Sequence, residues 1–326
     1  MKGGSRIRTR RELRVSLIFL ALVALLPLMV KVPYWLGVLI VSMYFAIVSA
    51  AWNLLAGYTG QFSLAPATFA MIGAYSSGLL YHHFQVSPWI GIPVGVGAAA
   101  LIGFLLGVVV LRLRGPYLAL TTLSFAEITR LVIGNSYNLT RGDLGLSVPA
   151  IFESRLAYYY LFLGVLALVQ LGLYVLVRSR AGLYLQAIRD DDVAASGRGV
   201  NVVLWKTVSF SLSSAICGLA GGIYVHFIML ASPEIGLVLQ TGLVMSMVVI
   251  GGMGTLIGPL LGAFLVEIAS EAFRDVGLSH MLVFSLMVIL IGRFFREGLW
   301  GLLDWLRYHR PSVAQAPATS EGGESS

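Results

Sequence analysis

Ionisable side chains inside apolar runs are the residues of this sequence best suited to chemistry. Glu127 and Arg130 lie three residues apart in one apolar segment, and Glu267 lies in another. Because a charge is costly inside a bilayer, such residues often belong to a pathway for ions, protons or substrate. The i, i+3 spacing also allows Glu127 to pair with Arg130 on one helix face. The structural alternatives are a pair that fixes helix packing and a Glu267 that lies close enough to a helix end to be hydrated.

Motifs for catalysis and nucleotide binding are missing. The sequence contains no G-x-x-x-x-G-K-[ST], no H-E-x-x-H and no G-x-S-x-G, and His82 and His83 form an isolated pair. Its one cysteine, Cys217, lies in an apolar run and has no disulfide partner in the chain. The chain is therefore predicted to be neither an enzyme nor a nucleotide-binding or metal-binding subunit.

Two glycine-rich segments interrupt apolar runs. The first glycine break (residues 57–63, GYTGQFS) precedes Pro66, and the second glycine break (residues 251–257, GGMGTLI) precedes Pro259. Unwound backbone at membrane depth is tolerated where it lines a polar cavity, so the breaks predict a transport site. Close helix packing through glycine is the alternative, and both can hold. The structural positions are Gly57, Gly60, Gly251, Gly252, Gly254, Gly258, Pro259 and Gly262.

The polar loop (residues 178–206) separates two long apolar runs and carries five basic residues and three consecutive aspartates. We predict a short helix in which Asp190–Asp192 lie early, near the positive end of the dipole, and Gly199 marks the end. At roughly 100° per residue, Leu185, Ile188 and Ala195 share one side. A short amphipathic helix in such a loop favours a docking segment, and a solvated connector is the alternative.

The composition indicates an all-α polytopic membrane protein, because 58% of residues are hydrophobic and 11% are charged. Soluble domains average about 25% charged residues. A bilayer-spanning helix needs roughly 20 residues, and some apolar runs are shorter, so eight to ten crossings are predicted. The candidate spans are Val15–Val30, Leu36–Leu55, Leu64–Tyr81, Pro88–Leu111, Tyr117–Ile133, Tyr158–Val177, Thr207–Ile228, Leu237–Ile250, Leu256–Phe273 and Met281–Phe295.

The positive charges predict the orientation. With ten crossings, 17 of the 22 Lys and Arg residues lie on the side of the polar loop and both termini, which the positive-inside rule places in the cytoplasm. The predicted organisation is a basic cytoplasmic N-terminus (1–14), a transmembrane domain (15–295), an interfacial amphipathic segment (296–310) and a disordered tail (311–326).

Four collinear motifs carry a resemblance to a known family. They are NLLAGYTGQFSLAPATFAMIGAY (Asn53–Tyr75), LRLRGPYLALTTLSFAEITRLV (Leu111–Val132), AIRDDDVAASGRGVNV (Ala187–Val202) and VVIGGMGTLIGPLLGA (Val248–Ala263). Together they resemble the permease subunits of branched-chain amino acid ABC importers, most closely the LivM type of the LivH/LivM pair. The similarity extends from Trp52 to about Gly301.

The resemblance implies a heterodimer with a LivH-like permease subunit in the bacterial inner membrane. It also implies two cytoplasmic ATPase subunits, which would bind ATP and Mg²⁺, and an extracytoplasmic substrate-binding protein. Importer permeases carry an E-A-A-x-x-x-G loop that inserts into the ATPase. Val193-Ala194-Ala195-x-x-x-Gly199 is similar to it, with Val in place of Glu. The ATPase-coupling residues implied are Ile188, Arg189, Asp190, Asp191, Asp192, Val193, Ala194, Ala195 and Gly199.

The predicted substrate pathway uses polar residues of the first break and the fifth span, with Thr121, Ser124 and Glu127 facing a cavity near the LivH-like partner. Ala65-Pro66 replaces the Gly-His often seen in this family, which leaves the exact ligand open. Branched-chain amino acids and urea both remain as substrates, because selectivity in this family rests largely with the binding protein. An ion-coupled secondary transporter and a scaffold subunit are the other classes left open. The pathway residues are Gln61, Ser63, Thr121, Thr122, Ser124 and Glu127.

Overall fold

The computed structural model describes residues 2–29, 32–110 and 116–272. Within these ranges the chain forms twelve α-helices, two short 3₁₀ helices (Gly142–Leu144 and Pro233–Gly236) and two strands, β1 (Leu146–Ser147) and β2 (Leu230–Ala231). The α-helices are α1 (Lys2–Met29), α2 (Pro33–Ala56), α3 (Pro66–Phe84), α4 (Pro88–Val110), α5 (Pro116–Asn135), α6 (Tyr137–Thr140), α7 (Arg155–Arg178), α8 (Arg180–Asp190), α9 (Asp192–Gly197), α10 (Val202–Ile228), α11 (Val238–Gly251) and α12 (Gly258–Ala272).

The helices confirm the all-α prediction, and the β1–β2 pair is a small exception to it. Nine of the predicted spans overlap helices of the described ranges, while the tenth, the interfacial segment and the tail lie outside them. Within the described part, α2, α4, α5, α7 and α10 are long and apolar enough to cross a membrane. The number of crossings and the side of each terminus stay predictions. The predicted basic N-terminus is helical from Lys2 and continuous with the first span.

Helix α2 forms the centre of the bundle. It is apolar on all sides and almost entirely buried, as expected of a helix enclosed by others. It packs against α7, α10, α11 and α12. Trp52 Nε1 donates to the carbonyl of Ser63 at 2.7 Å, and Ser213 Oγ of α10 donates to the carbonyl of Ala51 at 2.7 Å. These bonds fix the end of α2 that leads into the first glycine break.

At the other end of the bundle, His226 of α10 joins three segments. Its Nδ1 lies 2.8 Å from the carbonyl oxygen of Pro149, and its Nε2 lies 2.8 Å from Ser77 Oγ of α3. Because a carbonyl can only accept, Nδ1 carries the proton and Nε2 accepts from Ser77. Tyr158 of α7 donates to the His226 carbonyl at 2.7 Å. The antiparallel β1–β2 pair, with Leu146 opposite Ala231, closes the same region.

We expect His226→Leu to lower the free energy of unfolding, because it leaves the buried Ser77 hydroxyl and the Pro149 carbonyl without their partner. The expected loss is about 1–3 kcal/mol, measured by denaturant unfolding in mixed micelles. His82→Leu is the matched control, since His82 is exposed and should change the stability by less than about 0.5 kcal/mol. Equal effects of the two substitutions would contradict a structural role for the His226 network.

Candidate functional site

The two glycine breaks meet in space although they are far apart in sequence. Asn53, in the last turn of α2, donates from Nδ2 to the Thr255 carbonyl at 2.8 Å and accepts from the Gly254 amide at 2.8 Å. The backbones are in direct contact, because a Cβ placed on Gly57 would lie 2.7 Å from the Gly254 nitrogen. Asn53 is buried. One buried amide side chain therefore holds the second break against the end of α2.

Glycine is required at this contact by backbone conformation as well as by space. Gly252 and Gly254 have φ values of +120° and +75°, in the region that side chains disfavour. Thr255 Oγ1 donates to the Gly252 carbonyl at 2.8 Å and accepts from the Gly258 amide at 3.0 Å, which closes the break at the start of α12. Gly251 and Gly262 instead let α11 and α12 pack backbone to backbone. Close helix packing is therefore confirmed at Gly251 and Gly262, and the transport site at the breaks stays a prediction.

Arg189, in the last turn of α8, joins the polar loop to both breaks. Its Nη1 donates to the Gly57 carbonyl, a charge-assisted hydrogen bond of the stronger kind. A Cβ on Gly254 would lie 2.7 Å from the same Nη1 atom. Gly60 also faces this side chain, since its Cβ position lies 3.5 Å from the Arg189 Cα. We call the contact of Asn53, Gly57, Arg189 and Gly254 the glycine junction.

Helix α1 reaches the same region through Glu12. The Leu256 amide of the second break donates to Glu12 Oε2 at 3.0 Å, and Glu12 is buried. Sequence reasoning missed both Glu12 and Asn53. Glu12 could have been noticed as the one carboxylate among the basic residues of 1–14. Asn53 could have been noticed as an amide in an apolar run, four residues before Gly57.

A cleft of about 630 Å³ opens beside the junction, between the first break, the start of α5 and the polar loop. Lys206 and Asp192 form an ion pair at its edge. The described residues contain no group of three or more His, Cys, Asp or Glu side chains that could hold a metal ion. The cleft is lined by residues 59–62, Pro116, Leu118, Ala119, residues 188–192 and Lys206.

The polar loop contains two helices, so the prediction of one helix through Asp190–Asp192 is wrong. The break falls at Asp191, whose extended backbone (φ −161°, ψ 111°) separates α8 from α9. Asp191 Oδ1 accepts from the amides of Val193 and Ala194 at 2.8 and 3.1 Å. An aspartate gains these capping bonds only outside the helix, which explains the break. Asp190 therefore ends α8 instead of beginning the docking helix. Gly199 has φ +82°, as predicted for a helix end.

Leu185, Ile188 and Ala195, which the helical period placed on one side, are all buried against the rest of the chain. This burial corrects the expectation that Ala195 contacts the ATPase. Ala195 is 3% exposed and faces the rest of the chain, so it is not available for close contact with another subunit. The exposed side of α9 instead presents Val193, Ala194 and Gly197, and Val193 is 66% exposed.

The predicted pathway residues fall into two groups. Gln61, Ser63 and Thr122 are buried. Gln61 Nε2 donates to Ser209 Oγ at 3.0 Å, and Thr122 Oγ1 accepts from the Leu64 amide at 2.9 Å. Gln61 and Thr122 therefore tie the first break and the residue after it to α10 and α5.

The second group lies on α5, away from the first break. Thr121 and Ser124 donate to carbonyls of their own helix at 2.8 and 3.0 Å. Arg130 Nε lies 3.1 Å from each carboxylate oxygen of Glu127, which confirms the predicted pair. The Glu127 side chain is 40% exposed. Whether these residues line the pathway stays a prediction.

An apolar helix bundle with two interrupted helices joined to one polar loop is the architecture of a membrane transport permease. Residues 34–292 match the family described as branched-chain amino acid transport system, permease component. The chain therefore belongs to the branched-chain amino acid transport permease family.

The chain is similar to several curated permeases. It is 32% identical to the high-affinity branched-chain amino acid transport permease LivM of Escherichia coli K12, over 86% of this chain and 74% of that protein. It is 24% identical to LivH of the same organism, over 78% and 90% of the two chains. It is 26% identical to the fructose import permease FrcC of Rhizobium meliloti, over 72% and 69%. No solved structure matches the chain.

The burial of Ala195 leads to a prediction with a matched pair of variants. Ala195→Glu should open the polar loop, because it places a carboxylate in a buried position at a cost of about 2 kcal/mol or more. We expect faster tryptic cleavage at Arg198 in the purified permease. Ala194→Glu puts the same group on the exposed neighbour and should leave the cleavage rate unchanged. Equal cleavage of the two variants would contradict the assignment of the buried face.

Proposed function

We propose that this chain is the LivM-type permease subunit of an ABC importer for branched-chain amino acids. It would pair with a LivH-like permease subunit in the bacterial inner membrane. Two ATPase subunits would bind ATP and Mg²⁺ and dock on the polar loop, and an extracytoplasmic protein would deliver the substrate. The observation that carries the proposal is the family match over 34–292. The contact between the polar loop and both glycine breaks supports it.

The docking surface proposed for the ATPase is the exposed side of α9. Val193 is 66% exposed, more than any other large apolar side chain of the polar loop, and exposed apolar groups of this kind often belong to interfaces. Ala194 and Gly197 lie beside it and are small enough for close approach. The three lie within one turn of a helix whose start is fixed by the Asp191 cap.

The proposed contact with the LivH-like subunit is the outward face of α5. This helix is the least buried of the five long apolar helices in the described ranges. Its surface combines exposed Leu120, Ile128 and Leu131 with Ser124 and the Glu127–Arg130 pair. A face with a carboxylate and a guanidinium is unfavourable against lipid. We propose that the partner subunit covers it and that Thr121, Ser124 and Glu127 face the substrate pathway there.

The substrate class rests on the similarity to the LivM permease, and the resemblance to a fructose import permease makes a direct test of solutes necessary. Vesicles that contain the complete complex should take up leucine, isoleucine or valine only when ATP is enclosed with the ATPase subunits. Fructose and urea, with the same binding protein, are the controls. Leucine uptake driven by an ion gradient through this chain alone would reject the proposal in favour of a secondary transporter.

A second prediction tests the docking surface. Val193→Glu and Ala194→Glu should each reduce retention of the ATPase subunits on purification, because both put a charge into a small apolar contact. A loss of 2 kcal/mol or more from a central contact corresponds to roughly thirtyfold weaker binding. Leu144→Glu is the matched control, since Leu144 is 73% exposed at the opposite end of the molecule. Full retention with both loop variants would mean that α9 is only a connector.

A further inference from the structure

Arg189 lies between α9, the proposed docking helix, and the rest of the helix bundle. It lies two residues before Asp191, the residue that caps and fixes α9. Its guanidinium donates to the Gly57 carbonyl and lies against Gly254. The last turn of α8 also packs inward, because the Ile188 side chain is buried. A displacement of α9 that carries the last turn of α8 with it therefore moves the group that contacts both breaks.

We propose that Arg189 is a positioning residue that makes the two glycine breaks follow the movement of α9. This inference rests on the proposed function, because it assigns a role to the segment on which the ATPase would dock. Arg189 would not contact substrate or nucleotide. It would convert a displacement of the polar loop into a displacement of the end of α2 and of the segment that precedes α12.

The chemistry of the contact explains why an arginine is suited to this role. Gly57 is the C-terminal cap of α2, where helix carbonyls lack intrahelical partners and a positive charge is favourable. The planar guanidinium offers several donors in a fixed arrangement. It fits here because Gly254 has no side chain, since a Cβ there would lie 2.7 Å from Nη1 and 3.1 Å from the Gly57 carbonyl oxygen.

The breaks themselves are tied together independently of Arg189. Asn53 bonds to both the amide of Gly254 and the carbonyl of Thr255. The two breaks therefore form one unit. Arg189 links that unit to α8, while Gln61 of the first break bonds to the Lys206 carbonyl at the other end of the polar loop, at 3.3 Å. Removing Arg189 should release α8 from the breaks and leave the contact between the two breaks intact. The role of Arg189 can therefore be tested in a variant whose helix bundle is still folded.

The first experiment measures leucine taken up per ATP hydrolysed in vesicles that contain the complete complex. Arg189→Gln should reduce this ratio roughly tenfold, a typical size for a coupling free energy, while the ATPase subunits are still retained. Arg189→Lys keeps the charge and one donor and should recover part of the ratio. Arg180→Gln is the control, because Arg180 is an exposed arginine of the same helix, and it should leave the ratio unchanged.

Each outcome of this experiment decides the inference. An unchanged ratio in Arg189→Gln overturns it. Loss of ATPase retention in Arg189→Gln also overturns it, because the residue would then only shape the docking surface. The wild-type complex tests the proposed function separately, since uptake without ATP would reject both the importer and the role of Arg189. A lower ratio with normal retention supports the link.

The second experiment measures the link directly. Cys217 is the single cysteine of the chain and is buried, so it should not react with a spin label. Labels can therefore be placed on Ser196→Cys in α9 and on Met253→Cys in the second break, both exposed positions, and the distance between them measured. In the complete complex that retains its ATPase, the distance distribution should be equally narrow with and without ATP. Arg189→Gln should broaden it, and Arg180→Gln should not. A distribution that is the same in Arg189→Gln and the unsubstituted pair would overturn the inference.

Discussion

The contact of two backbones at Gly57 and Gly254 is the constraint on which the rest of this structure depends. The two segments can approach only because neither residue has a side chain, and Gly254 also adopts φ +75°. Once they meet, every backbone polar group in the breaks needs a partner from nearby, because the surrounding helices are apolar. Asn53, Thr255, Glu12 and Arg189 provide these partners from α2, the second break, α1 and the polar loop.

The contact between Gly57 and Gly254 lies at the end of α2, so a change there affects the whole bundle. Helix α2 is almost completely buried and packs against α3, α7, α10, α11 and α12, so its end cannot move without affecting them. Each hydrogen bond at the junction contributes only about 1 kcal/mol net, but an unpaired buried group costs about 1–3 kcal/mol. The glycine junction therefore stays closed mainly because opening it would leave buried polar groups unpaired, and less because any single hydrogen bond is strong. Such an element favours two discrete arrangements over gradual deformation.

Local patterns in the sequence predicted much of the fold. Apolar runs located nine helices of the described ranges, and the i, i+3 spacing identified the Glu127–Arg130 pair. Within α8, the 3.6-residue period also placed Leu185 and Ile188 on one side, and both are buried. These features depend on residues close together in the chain, which is why periodicity is sufficient to find them.

The features that the sequence did not reveal depend on contacts between distant segments or on competition between local bonds. Asn53 and Thr255 are 202 residues apart, and nothing in either motif indicates the other. The capping bonds of Asp191 compete with continuation of the helix, and a run of three aspartates does not show which of them will leave it. The burial of Ala195 follows from that break, since the turn between α8 and α9 sets which side of α9 faces inward.

Polar groups in this chain are distributed unequally, and this suggests how the work of transport is divided. Those near the breaks, such as Asn53 and Thr122, are buried and bonded within the chain. Those on the outward face of α5 bond only to their own helix and remain open to whatever lies beside it. The polar groups on the α5 face have no hydrogen-bond partner on another described helix, so a second surface could bond to them. In the proposed importer, the pathway would therefore lie between the paired subunits, and its linkage to the polar loop would lie within this chain.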